Sequence, residues 1–187
     1  MFLAVFLFSA IALTGQDIHY SQFFNSPLNL NPGLTGVFNG NQRYHANWKN
    51  QWSAPVNYNS FDLGGDWKFL KEGRSNFFAV GALINYDQAG DLGLNHTGIN
   101  LFGSYSLRVG KKSYLTPGVN VGFVSRSVDF GAGRASSDIL INTPDPYRTA
   151  NFDNASYIDL NAGLNYRWQN ASRKFIDLGV GAFHLNS

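Results

Sequence analysis

The chain has 187 residues, with 14 Lys+Arg against 12 Asp+Glu, 16% aromatic residues, 20 Gly and no Cys. Without Cys there is no disulfide framework, thiolate metal site or cysteine nucleophile, and a net charge of +2 lacks the basic stripe of a nucleic-acid binder. Charged residues make up only 14%, where a soluble domain carries about a quarter, and a chain so rich in aromatics is not disordered, so the deficit points to burial in a membrane.

Residues 2–13 (FLAVFLFSAIAL) are apolar apart from Ser9 and are followed by Thr14, Gly15, Gln16 and Asp17. The run is about a dozen residues, short of the roughly 20 that a spanning helix needs, which predicts a signal peptide over residues 1–15 with cleavage after Gly15. A buried N-terminal helix or strand is the alternative. No Lys or Arg precedes the run, so translation is expected to begin upstream of Met1. No later stretch is long and apolar enough for a transmembrane helix; a membrane protein of this sequence crosses with strands.

Residues 16–41 form a lead-in whose Pro27, Asn31, Pro32 and Gly36 demand specific turns. It is either a periplasmic plug or docking segment, or a simple approach to the first strand. From residue 42 onward the sequence alternates apolar and polar with period two in segments of about ten residues, separated by breaks rich in Gly, Asn, Asp, Ser or Lys. The first segment sets Tyr44, Ala46 and Trp48 against Arg43, His45, Asn47 and Lys49, and the second Phe61, Leu63, Gly65 and Trp67 against Ser60, Asp62, Gly64 and Asp66. The third, Phe78 to Gln88, sets Phe78, Val80, Ala82, Ile84 and Tyr86 against Ala79, Gly81, Asn85 and Asp87, with Leu83 as the exception. The fourth sets Ile99, Leu101, Gly103, Tyr105 and Leu107 against Asn100, Phe102, Ser104, Ser106 and Arg108. The fifth sets Leu115, Val119, Val121 and Phe123 against Thr116, Asn120, Gly122 and Arg126. The sixth sets Ile158, Leu160, Ala162, Leu164, Tyr166 and Trp168 against Tyr157, Asp159, Asn161, Gly163, Asn165 and Arg167, and the seventh Ile176, Leu178, Val180 and Ala182 against Asp177, Gly179 and Gly181.

One face is apolar with Tyr or Trp near its ends; the other is Asn, Gly, Ser, Asp and Arg. That is the inverse of a soluble sandwich and the signature of a transmembrane barrel, with aromatics at the headgroup level and strands of about 9–11 residues. The fold class predicted is therefore all-β, an antiparallel transmembrane β-barrel over residues 42–187. The links after strands two, four and six are short and basic. Those after strands three and five are expected to be longer and acidic, through Asp87 and Asp91 and through Asp129 to Ser156, which places the short turns in the periplasm. Seven strands cannot close a barrel in lipid, so the sequence is expected to be half of a longer barrel whose remaining strands follow Ser187.

The stretch Gln16 to Gly36, with its Ser21-Gln22-Phe23 core, the Asn31-Pro32 pair and Gly36, followed by Asn50-Gln51-Trp52, resembles the N-terminal signature of the PorP/SprF family of Bacteroidota outer-membrane proteins. Phe183-His184-Leu185 is similar to the mid-chain motif of the same family. The resemblance implies an outer-membrane barrel accessory to the type IX secretion system, in the group linked to gliding motility. Its implied partners are outer-membrane lipid, a secreted protein carrying a type IX C-terminal domain and, in some members, periplasmic peptidoglycan-binding or motor-associated lipoproteins.

Catalytic chemistry finds no support. His19, His45, His96 and His184 lack chelating spacing, and Ser21, Ser104 and Ser125 lack a nucleophile-elbow context, so no catalytic, cofactor or metal residue is predicted. Asp129 to Arg134 is Gly-rich without the strand-to-helix setting of a phosphate loop. Arg43, Arg108, Arg126 and Arg167 share the polar face with Asp62, Asp66, Asp159 and Asp177, which predicts a lumenal ion-pair network in preference to a solute path. Phe23, Asn31 and Pro32 of the lead-in, with Tyr147 and Phe152 of the acidic loop, are the candidate partner-binding residues, aromatics being the usual interface anchors. A passive porin is the alternative function.

Overall fold

A strand that alternates apolar and polar residues is stable in a bilayer only beside neighbours that pair its backbone and share its facing. The structure, a computed structural model, describes residues 23–51, 58–70, 73, 75–89, 94–127, 154–170 and 174–186. The signal peptide expected over 1–15, Trp52, Asp129 to Arg134, and the loop residues Tyr147 and Phe152 lie outside the described residues.

Seven strands, β1 (Gln42–Gln51), β2 (Tyr58–Leu70), β3 (Phe77–Ala89), β4 (Leu94–Arg108), β5 (Ser113–Ser127), β6 (Ala155–Gln169) and β7 (Phe175–Ala182), pair antiparallel in sequence order as a half-barrel. They are preceded by a 3₁₀ turn (Phe23–Asn25), a single helical turn α1 (Pro27–Leu30) and a second 3₁₀ turn (Pro32–Leu34). None of the described helices is long and apolar enough to cross a membrane.

The register aligns the apolar positions of successive strands. Ala46, Leu63, Ile84, Ile99, Phe123 and Ile158 form one continuous outward row from β1 to β6. The outward residues are open to the surroundings, Leu178 and Val180 each at 65% exposure, and a band of this size is sheltered from water only by lipid. At the end carrying the β2–β3, β4–β5 and β6–β7 turns, the lower end, the band finishes in aromatics. Tyr44 and Trp67 meet edge to face at 5.8 Å, Phe69 stacks on Phe78 at 6.3 Å, and the Tyr166 hydroxyl donates to Ser113 Oγ at 3.0 Å. At the opposite, upper end Trp48 Nε1 donates to Asn59 Oδ1 at 2.6 Å and the Tyr86 hydroxyl to Asn95 Oδ1 at 3.2 Å. Rings with an apolar body and a polar tip suit this boundary.

Several expected boundaries move. β4 begins at Leu94, well before Ile99, because its upper outward residues are Asn95 and Thr97, polar groups that break the apolar alternation. Asp87 therefore lies inside β3, hydrogen-bonded by Ser60 Oγ, and the β3–β4 connection shrinks to residues 90–93, no longer than the β4–β5 turn. Only the β5–β6 connection, residues 128–154, is long, so the expected asymmetry of links rests on it alone. Phe69 and Leu70 belong to β2, not to the following turn.

The inward face holds little apolar material: Leu28, Leu83 and Phe102 form its one cluster of buried hydrophobic residues. Leu83 breaks its strand's pattern because it packs against Leu28 of α1. Most of the other buried residues of that face are Ser, Asn, Thr, Asp and Gly, with Ala79 and Val124 among them. Gly103 sits on the outward face with nothing within 4 Å of a Cβ built there. Gly103→Arg therefore tests lipid facing without a packing clash, and should cost about 2–4 kcal/mol if that position lies near the midplane. The expected readout is loss of heat-modifiable gel migration by the full-length protein; unchanged migration would count against the outward assignment.

Candidate functional site

The inward face is covered by Ser26–Val37, and the reasons are local. Pro27 starts α1, where its missing N–H costs nothing. Asn31 precedes Pro32 and is held out of the helical region, at φ −165°, so α1 stops at Leu30 and the chain restarts as a 3₁₀ turn. The Asn31 side chain caps that turn by accepting from the Gly33 N–H at 2.7 Å. Its amide nitrogen donates to the Leu164 and Val180 carbonyls, both at 3.2 Å, so one side chain ties the segment to β6 and β7.

This contact is at backbone distance. A Cβ on Gly118 of β5 would lie 2.7 Å from the Gly33 nitrogen and inside contact distance of the Pro32 carbonyl. A Cβ on Gly163 of β6 would lie 2.9 Å from the Gly33 nitrogen and overlap the Asn31 Oδ1. Thr35 donates to the Pro32 carbonyl at 2.8 Å and its own carbonyl accepts from Ser104 Oγ at 2.7 Å. Gly36 then turns at φ +76°, a conformation that strongly favours glycine, with Ala79 against it.

Two fully buried carboxylates of β2 fix the other side of the segment. Asp66 receives a bidentate pair from Arg43 of β1, at 2.9 Å from Nε and 2.8 Å from Nη2, and the Gly36 N–H at 2.7 Å. Arg43 also donates to the Leu34 carbonyl at 3.2 Å. Asp62 accepts from Ser26 Oγ at 2.7 Å, Asn29 Nδ2 at 3.2 Å, and the backbone and side-chain nitrogens of Asn47 at 3.1 and 2.8 Å. Its charge is held by oriented neutral donors, a satisfactory arrangement for a buried carboxylate. Between the two, opposite Gly64, both ring nitrogens of His45 are buried without a hydrogen-bond partner among the described residues.

The expected lumenal ion-pair network is present only in part. Arg43–Asp66 and Arg167–Asp177 form, the latter bidentate at 2.7 Å. Asp159 instead meets His184 Nδ1 at 2.8 Å, while Asn161 donates to Asp159 at 2.9 Å and to Asn120 Oδ1 at 2.6 Å. Arg126 lies over the Tyr157 ring and donates to His96, and Arg108 turns outward at the strand end onto the Gly110 and Lys111 carbonyls and Ser75. Both arginines stand at strand ends, and among the described residues neither forms an ion pair there.

Of the candidate partner-binding residues, Asn31 and Pro32 are buried against β5–β7, where they position the segment. Phe23 opens the first 3₁₀ turn, and Tyr147 and Phe152 lie outside the described residues. Ser26, Asn29, Gly33 and Thr35, together with Gly118 and Gly163, were not predicted, and Asp62, expected in an ion pair, instead accepts from neutral donors. The glycines at inward positions of β5 and β6 were the available signal. Among the described residues no group of His, Asp or Glu is arranged to hold a metal ion.

An all-β half-barrel with an apolar outward band and a polar segment inside it defines a membrane barrel protein. The model of the family described as type IX secretion system membrane protein PorP/SprF matches residues 12–187, and the chain belongs to that family. No curated protein and no solved structure matches it.

Asp66→Asn leaves Arg43 without its carboxylate and should destabilise the full-length protein by about 3 kcal/mol, toward the low end for a broken buried pair because Arg43 is partly exposed. Urea unfolding in micelles measures this, and a change below about 1 kcal/mol would show that the pair is solvated. Gly163→Ala should displace Asn31 and weaken the fold, whereas Gly103→Ala should not. Equal unfolding midpoints for those two variants would contradict the close approach.

Proposed function

We propose that this type IX secretion system membrane component resides in the outer membrane and works by binding: it anchors a secreted surface protein, or helps to export it, and performs no catalysis. In this reading the chain leaves the cytoplasm on the signal peptide 1–15, residues 16–41 form a plug, and the lower end with its short turns faces the periplasm. The long β5–β6 connection, carrying Tyr147 and Phe152, then faces outward and supplies aromatic anchors for the secreted partner. Asn31 and Pro32 contribute by setting the plug against the wall, and Phe23 of the lead-in is a further candidate contact for a partner.

Family membership supports the secretion role. The observation that carries binding over passive conduction is the passage of Ser26–Val37 across the inward face, pinned at Asp62, Asp66, Gly118 and Gly163. It occupies space that a solute path would use. Secreted proteins with a type IX C-terminal domain are the partner class this reading expects, with periplasmic peptidoglycan-binding or motor-associated lipoproteins on the opposite side.

The test is photo-cross-linking of the full-length protein in native outer membranes, with a photoreactive residue at position 147 or 152, followed by mass spectrometry. Capture of a large secreted protein through its C-terminal domain is the expected result. Recovery of the barrel alone, combined with steady ion conductance in planar bilayers, would replace binding with the porin reading.

A further inference from the structure

Below the inward segment, a cavity of about 340 Å³ opens at the lower end of the sheet. Its roof is Val37 and Phe38; Lys68, Phe77, Tyr114 and Arg167 stand around it. The volume is toward the low end of the roughly 300–1,000 Å³ of sites that take small ligands or a short stretch of chain. All but the turn residues belong to the inward face, on the opposite side of the wall from the apolar band.

The charges here do not balance. Among the described residues the inward carboxylates at this end are Asp66 and Asp177, and each is occupied by a bidentate arginine, Arg43 and Arg167. Lys68 has no carboxylate within ion-pair distance among the described residues. Its ammonium donates to the Phe38 carbonyl at 2.6 Å and lies 4.8 and 4.7 Å from the Phe38 and Phe77 ring centroids. One of its three N–H donors is thus used, and the group is held in place by rings and a carbonyl that leave its charge uncancelled. The rim adds to this excess. Arg108, Lys111, Lys112 and Lys174 are exposed there, and the hydrogen bonds of Arg108 and Lys112 go to neutral acceptors.

We infer that this cavity binds an acidic peptide segment, with an Asp or Glu carboxylate on Lys68 and an adjacent aromatic or branched side chain against Phe38 and Phe77. The rim draws the acidic chain in, and the Tyr114 hydroxyl stands at the cavity for its backbone, while the buried Thr116 hydroxyl behind it donates to Ser106 Oγ. A bilayer lipid does not reach an inward cavity sideways through the strands. A bare anion would leave the part-exposed Phe38 and Phe77 without an apolar partner. The inference does not rest on the secreted-protein reading, because its site is at the other end of the sheet.

The experiment is fluorescence anisotropy on the full-length protein in micelles, with a fluorescein-labelled hexapeptide alternating Glu and Phe and a control alternating Gln and Phe. The Glu peptide should bind, weaken as salt rises, and exceed the Gln peptide by about tenfold, as expected for one charge-assisted hydrogen bond. Lys68→Gln should remove that preference and Lys68→Arg should keep it. Equal binding of the two peptides overturns the inference, and that comparison needs no variant should Lys68→Gln fail to fold. Competition by millimolar inorganic phosphate as effective as by unlabelled peptide would reduce the site to a small-anion site. Competition by phosphatidylglycerol vesicles but not by unlabelled peptide would assign it to lipid. A preference for the Glu peptide that survives Lys68→Gln would place the carboxylate elsewhere.

Discussion

The inside of this half-barrel is organised around one contact: Asn31, Pro32 and Gly33 cross β5 and β6 at backbone distance over Gly118 and Gly163. No side chain fits between the two layers at that point, so the wall must be bare there. Because the segment lies so low, the Asn31 carboxamide can reach carbonyls on two adjacent strands at once. The surrounding inward residues, Asn165, Thr116, Ser104 and Asn120, are small or polar for the same reason. They meet a backbone that has its own hydrogen-bonding groups to satisfy, where larger apolar residues would leave those groups stranded.

This arrangement reverses the usual division of labour. In a soluble domain apolar packing lies inside, but here Leu28, Leu83 and Phe102 are the buried apolar cluster and the large aliphatic surface faces outward. Lipid takes the place of the core. The interior is then held by hydrogen bonds, and their strength depends on being complete, since polar groups left unpaired away from water cost most. Asp62 and Asp66 illustrate two solutions within one strand. One spreads its charge over four neutral donors, and the other combines an arginine with a backbone N–H. Each carboxylate joins the N-terminal segment to the β1–β2 hairpin, so the chain's first inward turn and its first two strands are mutually dependent.

Much of the sheet was legible in the sequence because period two is a local property: Ile158 to Trp168 of β6 alternates without exception over its length. Where the rule failed, a non-local cause was at work. Asn95 and Thr97 hide the start of β4 because they face a headgroup region, where polarity carries no penalty. Leu83 and Phe102 stand on the polar face because α1 lies above them, which spacing along their own strands does not reveal. The turns at Asn31-Pro32 and Gly36 could be read from residue chemistry, whereas their partners could not. Asn31 meets β6 and β7 across 133 and 149 positions of chain, and no local pattern encodes that distance.

The two ends of the inward surface differ in charge, and the segment between them makes that difference consequential. Above it lie Asn85, Asn100, Asn120, Asn161 and Asp159 with His184, a surface of carboxamides and one carboxylate–imidazole pair. Below it lies the cationic excess of Lys68 and the basic rim. Unseating Asn31 to Gly33 would break the Asn31 bridge to β6 and β7 and strain the contacts of the segment with Asp62 and Asp66. Carboxylate hydrogen bonds are worth about 1.5–3 kcal/mol each, so several breaking together oppose spontaneous opening far more than thermal energy favours it. With the segment seated, the carboxamides above and the cations below lie on opposite sides of one hydrogen-bonded layer.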